Sequence, residues 1–297
     1  MKSAIIFGVS GQDGFYLSKL LNNLGIKIYG TASAQNKKFT YVDLAVFSVV
    51  KKFISDITPD YIFFLSAISS TTHDSGIINH DIISTGTINI LEACKQIDFT
   101  GKIFIAGSAL QYKPSNKPLS EKSQYDNQTL YACSRNYSTN ISRYYREKFN
   151  LMIYIGFLFH HDSPHRDSKH LSSQIISSAL SIKNDEIKTI KIQDINYVKE
   201  FNHAEDIVKA IWALVNQNKI FELNIGSGIS YSIKNFISEV FDYLNLNWKN
   251  YVKHERITKT DNSYHISNPS LIKSLGWEPK HNLKSLIIDM IKNGNFS

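Results

Sequence analysis

Cysteine is scarce in this chain: Cys94 and Cys133 are the only two among 297 residues. Two thiols build no disulfide framework, and neither stands in a close metal-type pair, so a reducing compartment is expected. Proline is scarce too, at six, and no low-complexity tract occurs, which excludes a proline-rich linker or a long disordered arm. Long hydrophobic runs are missing. The apolar stretches at 62–68 and 151–159 fall far short of the roughly 20 residues a membrane helix needs. Strand residues and a glycine turn stand where a signal peptide would. A soluble cytoplasmic protein is expected, with no membrane partner. Charge of one sign is not clustered either. The net charge of +7 comes from dispersed Lys and Arg, with no run beyond Lys37-Lys38 or Lys51-Lys52. This reads as a solvated basic surface with a general pull on phosphorylated anions, and no nucleic-acid partner is expected.

What is present is organised around Phe7-Gly8-Val9-Ser10-Gly11-Gln12-Asp13-Gly14. Ile5-Ile6 precede this stretch, and Phe15, Leu17, Leu20, Leu21 and Leu24 follow at helical spacing, so it reads as strand, tight turn and helix N-terminus. Gly8 lets the chain turn, Gly11 lets backbone approach a pyrophosphate, and Gly14 lets helix and strand pack closely. The free N–H groups and positive dipole end of the helix favour phosphate. With Ser10, Gln12 and Asp13, these glycines are the first candidate contacts to a dinucleotide. A second strand at 26–30 is followed by Thr31-Ala32-Ser33-Ala34. That segment has neither an acid to accept from a free ribose hydroxyl nor an arginine to meet a 2′-phosphate, so NAD and NADP both stay open. Asp43 and Leu44, ending a short strand at 41–44, are candidate adenine neighbours. The apolar run 61–65 reads as a parallel strand buried on both faces, and Leu65, Ala67 and Ser69 can carry a cofactor over its end. A long helix at 79–96 and a strand at 102–106 continue the alternation, which implies an α/β fold with a doubly wound parallel sheet.

Chemistry in such a sheet sits past the carboxyl ends of its strands. There stand Ser108, and then Tyr131 and Arg135, four residues apart and so on one helix face. A cation beside a phenol favours the phenolate. With Ser108 as hydrogen-bond partner, Tyr131 can exchange a proton with a sugar hydroxyl or ketone while hydride moves to or from a nicotinamide. The plainer alternative is an aromatic and a cation on a half-buried helix. The strand at 151–159 ends in His160-His161-Asp162-Ser163-Pro164-His165-Arg166. These histidines make no helical His-x-x-x-His pair, so they read as a polar loop at the cleft mouth and no metal is expected. Helices at 171–182 and 233–244, with one opening at His203-Ala204-Glu205-Asp206, follow without a linker. Any second domain is therefore interleaved with the first.

The Gln12-Asp13 glycine turn, Leu65-Ser66-Ala67-Ile68-Ser69, the run from Gly156 to Pro164, the run from Lys199 to Asp206, and Leu275-Gly276-Trp277-Glu278-Pro279 together resemble one family. They are similar to the extended short-chain dehydrogenases/reductases of the NAD-dependent epimerase/dehydratase group, nearest to the GDP-mannose 4,6-dehydratases. The resemblance spans nearly the whole chain. It implies a Rossmann-type domain at 1–160 with 196–226 holding NAD or NADP. A smaller interleaved C-terminal substrate domain at 161–195 with 227–297 would clamp a nucleoside diphosphate sugar. It puts Ser108, Tyr131 and Arg135 at catalytic positions, the last two also against the cofactor, and Ser70, Ser108, His160, Lys199 and Arg256 on the substrate. It also implies a homodimer or homotetramer and a place in surface-polysaccharide sugar synthesis.

Four departures from the family pattern shape the expected activity. Arg135 stands where the family has lysine, keeping charge but changing geometry. Leu110 stands where the dehydratases carry the glutamate that removes the C5 proton. Ser33-Ala34 replace an arginine pair, and basic residues are missing around Ser173-Gln174. Without the elimination base, the remaining groups suit hydride and proton transfer at one carbon. The expected reaction is 4-keto reduction at C4, with 4-dehydrogenation or epimerisation in the same class. The alternatives are a 4,6-dehydratase whose base is relocated to Glu121 or Asp126, and a binding protein without turnover.

Overall fold

The computed structural model of the chain describes residues 1–68, 76–254 and 264–296. Its first half alternates strand and helix: β1 (Ser3–Phe7), α1 (Gln12–Asn23), β2 (Lys27–Ala32), β3 (Thr40–Tyr41), α2 (Phe47–Ile57) and β4 (Tyr61–Phe64). A helical stretch follows as α3 (Gly76–Asn79), a π-helical segment (His80–Thr85) and α4 (Gly86–Gln96). Then come β5 (Lys102–Ser108), α5 (Leu130–Phe149) and β6 (Met152–Leu158). The remainder comprises β7 (His161–Asp162), α6 (Leu171–Lys183), β8 (Ile190–Ile192), β9 (Val198–Glu200), β10 (Asn202–His203), α7 (Ala204–Val215) and β11 (Glu222–Ile225). It closes with β12 (Ser230–Ser232), α8 (Ile233–Tyr243), β13 (Val252–His254), α9 (Ser270–Lys273) and α10 (Leu283–Asn293).

Seven strands form one parallel sheet in the order β11-β6-β5-β4-β1-β2-β3. The period of two along each strand divides its side chains between two cores. Ala4 and Ile6 join α1 and α7 on one face, and Ile5 and Phe7 join α2, α4 and α5 on the other. This is the expected doubly wound Rossmann-type sheet. Strand order reverses between β1 and β4, and the crevice past their carboxyl ends is where such sheets bind ligands. A third core joins α6, α8 and α10 through Ile176, Phe236, Ile237 and Leu286. The remaining strands pair as the two-stranded ribbons β7–β10, β9–β12 and β8–β13.

Two elements differ from their sequence-based forms. The strand expected at 41–44 ends at Tyr41, because the Asp43 carboxylate accepts the Ala45 N–H and turns the chain toward α2. The helix expected at 79–96 starts at Gly76 and passes through the π-helical segment. At its start, Asn79 brackets Ile68, accepting its N–H at 2.9 Å and donating to its carbonyl at 3.3 Å. The loop leaving β4 is thereby tied to the next helix.

Candidate active site

A cavity of about 560 Å³ opens past the carboxyl ends of β1, β4, β5 and β6. Its floor is the glycine turn. Gly8 has φ +94°, and a Cβ on Gly14 would collide with the Gly8 carbonyl oxygen and the Val9 backbone, so the close packing of α1 on β1 requires glycine at both. Gly11 is the N-cap of α1, and no side chain caps it. The first-turn N–H groups are left for an anionic ligand. This turn is the place at which the sequence reading expects a pyrophosphate.

Gln12 and Asp13 line the cavity too, yet their side chains are committed elsewhere. Ser163 Oγ donates to Gln12 Oε1 at 2.8 Å, Gln12 Nε2 donates to the His161 carbonyl at 3.3 Å, and His161 Nε2 donates to Asp13 Oδ1 at 2.8 Å. His161 Nδ1 faces the Phe159 carbonyl at 2.7 Å. Both ring nitrogens thus meet atoms that only accept, which holds His161 as an imidazolium. Burial opposes both charges. The pair overcomes it, raising the His161 pKa and lowering that of Asp13. The Gln-Asp pair thus latches the strand end after β6 to the phosphate turn, and what it offers a cofactor is backbone and position.

On the far wall, Ser108 caps a short 3₁₀ turn: its Oγ accepts the Leu110 N–H at 3.2 Å and its own N–H goes to Gln111 Oε1. The Ser108 hydroxyl proton stays available to a ligand. Arg135 Nε donates to Tyr131 Oη at 3.2 Å, and Arg135 Nη1 donates to the Ala106 carbonyl. The guanidinium is buried and its carbon lies 5.4 Å from the Tyr131 ring centre. Ser108, Tyr131 and Arg135 line the cavity with Leu65 and Ala67 from the end of β4.

A charged cluster closes the opposite side. Asp162 is fully buried. It accepts from His160 Nε2 at 2.8 Å and lies 3.1 Å from Arg166 Nε. Burial brings His160 down to about 3 and His170 to about 4, so both rings are neutral. Burial also lowers Lys199 to about 8, against the pull of Asp162. Its ammonium rests 4.8 Å from the Phe201 ring. With Arg166 and Lys199 against one carboxylate, this wall favours an anion.

The cavity gathers most of the anticipated residues: Gly8, Gly11, Gln12, Asp13, Gly14, Leu65, Ala67, Ser108, Tyr131, Arg135, His160 and Lys199. Ser10 is exposed in the turn and does not line it. Asp43 and Leu44 also stand apart. Asp43 is used in its own turn, and the Leu44 carbonyl accepts from Asn89. Ser69, Ser70 and Arg256 lie outside the described residues. Arg166, His170, Tyr197 and His265 line the cavity without having been singled out from the sequence. Arg166 and His170 stand in the histidine-rich loop, whereas His265 carries no local signal. The relocated carboxylates do not arrive. Glu121 accepts the Asn224 N–H at 2.9 Å, Asp126 accepts that of Gln128, and neither lines the cavity. Leu110, 37% exposed, occupies that rim instead.

One further cluster, His203, Glu205 and His281, has metal-like spacing. Its hydrogen bonds oppose metal binding. His203 Nδ1 accepts the Glu205 N–H and so carries its proton on Nε2, which donates to Asp289, while His281 Nδ1 donates to Asp206. A cation on His203 Nε2 would require an imidazolate or loss of the helix cap.

Comparison with known proteins identifies the family and the fold. The family model of GDP-mannose 4,6 dehydratase matches residues 5–290. GDP-mannose 4,6 dehydratase 1 of Arabidopsis thaliana is 26% identical over 321 residues, covering 98% of this chain and 89% of that protein. The structure of RMD from Pseudomonas aeruginosa complexed with NADPH superposes with a TM-score of 0.86 at 16% identity, covering 99% of this chain and 98% of that one. For dTDP-glucose 4,6-dehydratase from Bacillus anthracis in complex with NAD, the TM-score is 0.85 at 17% identity, with 100% and 98% covered. The chain belongs to the GDP-mannose 4,6-dehydratase family, within the extended short-chain dehydrogenases/reductases that modify nucleotide sugars with NAD(P).

Proposed function

We propose that this protein is an NAD(P)-dependent oxidoreductase acting at C4 of a nucleoside diphosphate sugar, most directly by reducing a 4-keto group. The observation that carries this reading is the composition of the cavity: Ser108, Tyr131 and Arg135 open onto it, while Leu110 holds the rim and no unpaired carboxylate lines it among the described residues. Residues 1–160 with 196–226 hold the cofactor, through the Gly8–Gly14 turn and the Tyr131–Arg135 face. Residues 161–195 with 227–297 hold the sugar nucleotide. When bound, the nicotinamide supplies or takes the hydride. Tyr131 Oη gives its proton to the carbonyl oxygen, Ser108 Oγ–H donates to that same oxygen, and Arg135 keeps the phenol aimed through its 3.2 Å bond. Lys199 and Arg166 receive the diphosphate. The form of the cofactor follows from neither Ser33 nor Ala34.

The same reading includes a cytoplasmic location and a homodimer or homotetramer. Among the described residues no helix is long and apolar enough to cross a membrane. Leu130, Tyr137 and Tyr144 form an exposed stripe along α5, a face suited to a second copy. Family membership favours a second reading, 4,6-dehydration, for which Leu110 lacks the base. The test is incubation with NADH or NADPH and a panel of 4-keto nucleotide sugars, following absorbance of the reduced cofactor. Oxidation of the reduced cofactor with formation of a C4 alcohol is expected. Conversion of an unmodified nucleotide hexose to its 4-keto-6-deoxy product without net cofactor use would establish the second reading instead.

A further inference from the structure

The cavity contains a group that C4 reduction does not use. His265 enters from the segment before α9 and lines the same space as Ser108, Leu110 and Tyr131. Its Nε2 lies 2.9 Å from the Tyr112 carbonyl, two residues beyond Leu110. A carbonyl only accepts, so Nε2 carries the proton and the neutral ring has an unprotonated Nδ1. That nitrogen has no hydrogen-bond partner among the described residues. Burial pushes the ring's pKa down, outweighing the Tyr112 bond and the Asp126 carboxylate, so the lone pair is present at neutral pH. Of the other imidazoles at the cavity, His161 has both nitrogens engaged, by Phe159 and Asp13, while His160 and His170 belong to the Asp162–Arg166 cluster.

We propose that His265 is a second proton-transfer residue, acting through Nδ1 on the C–H bond next to the carbonyl of a bound 4-keto nucleotide sugar. The proposal rests on the nucleotide-sugar reading above and adds an activity to it: enolisation. Nδ1 takes the proton from C3 or C5, the C–H pair becomes the enolate double bond, and the charge at the C4 oxygen is met by Ser108 and Tyr131. The imidazolium then returns a proton to the same carbon. No electrons enter or leave, and no co-reactant is required. The tautomer fixed by Tyr112 and a place on the cavity wall that Leu110 also lines make His265 the replacement for the missing acid, in a different part of the chain.

The test uses purified full-length protein with GDP- and dTDP-linked 4-keto-6-deoxyhexoses in D₂O, without reduced cofactor, reading deuterium at C3 and C5 by NMR and mass spectrometry. C4 reduction by NADH and NADPH is measured in parallel. Wild type is expected to exchange well above the buffer rate. His265→Gln keeps a donor for the Tyr112 carbonyl but has no basic nitrogen. Its exchange should fall about 100-fold, with reduction falling at least about tenfold less. Exchange in His265→Gln at the wild-type rate overturns the assignment, as does reduction by wild type without exchange. Equal loss of both activities, with an unchanged melting temperature, assigns the ring a positioning role and overturns it as well. Absence of both reduction and exchange in wild type overturns the C4 reading together with this one.

Discussion

Replacing Asp13 by Asn cuts the ionic half of the latch between the phosphate turn and the end of β6 while keeping an acceptor of the same shape. The wild-type contact is 2.8 Å, with the two side chains 11% and 21% exposed. A charge pair at about 4 Å in an effective dielectric of about 20 is worth roughly 4 kcal/mol before desolvation. A hydrogen bond to a charged partner nets about 1.5–3 kcal/mol, and that is the loss expected. At about 2–4 °C per kcal/mol for a chain approaching this size, the thermal midpoint should fall by roughly 3–12 °C. The pH dependence provides the sharper test. His161 is raised in the fold, so its stabilisation is complete below its unfolded value near 6.5 and is lost as pH rises through the higher folded value. Asp13 is lowered, so its share is present above about 3.9 and is lost as pH falls through its folded value. The gap between wild type and Asp13→Asn should therefore be widest between about pH 4 and 6.5 and shrink on the alkaline side. Melting curves of both proteins across that range decide the matter. An equal gap at pH 5.5 and pH 9.5 would refute the ionised pair.

Tyr131→Phe should cut 4-keto reduction by at least about 100-fold while leaving cofactor affinity, read by fluorescence titration, largely intact; unaltered turnover would remove Tyr131 from the chemistry. Lys199, at about 8, should be about nine-tenths charged at pH 7 and one-tenth at pH 9. Calorimetric Kd values for GDP and UDP are accordingly expected to weaken by up to about tenfold between those values. Lys199→Met should bind more weakly with a flat profile, and a flat wild-type profile would contradict the diphosphate role. Leu110→Glu combined with Arg135→Lys places a carboxylate on the rim beside Ser108. A rise in 4-keto-6-deoxy product from an unmodified GDP-hexose is expected by mass spectrometry, and no rise would show that the rim alone does not set the reaction.

The doubly wound sheet was legible in the sequence because its strands are buried on both faces and its helices amphipathic, so local periodicity and global fold agree. The glycine turn was legible for the same reason: Gly8 and Gly14 answer to backbone geometry within a few residues of themselves. Ser108, Tyr131 and Arg135 could be placed from helical spacing and strand ends. Side-chain partnership was not local. Gln12 and Asp13 sit in the phosphate turn by sequence, but residues about 150 positions away, His161 and Ser163, decide what their side chains do. Glu121 could have reached the cavity on chain length alone; a backbone N–H at Asn224 holds it elsewhere. Asp43 was lost to a turn two residues long. His265 lies in a stretch without periodicity, and only packing of the second half of the chain against the β5 rim brings its ring to the site. Sequence by itself determined most of the elements and the glycine turn, since those depend on short-range sterics and burial. Tertiary structure alone decided which charges are paired and which nitrogen is free, because that depends on what the fold sets opposite each group.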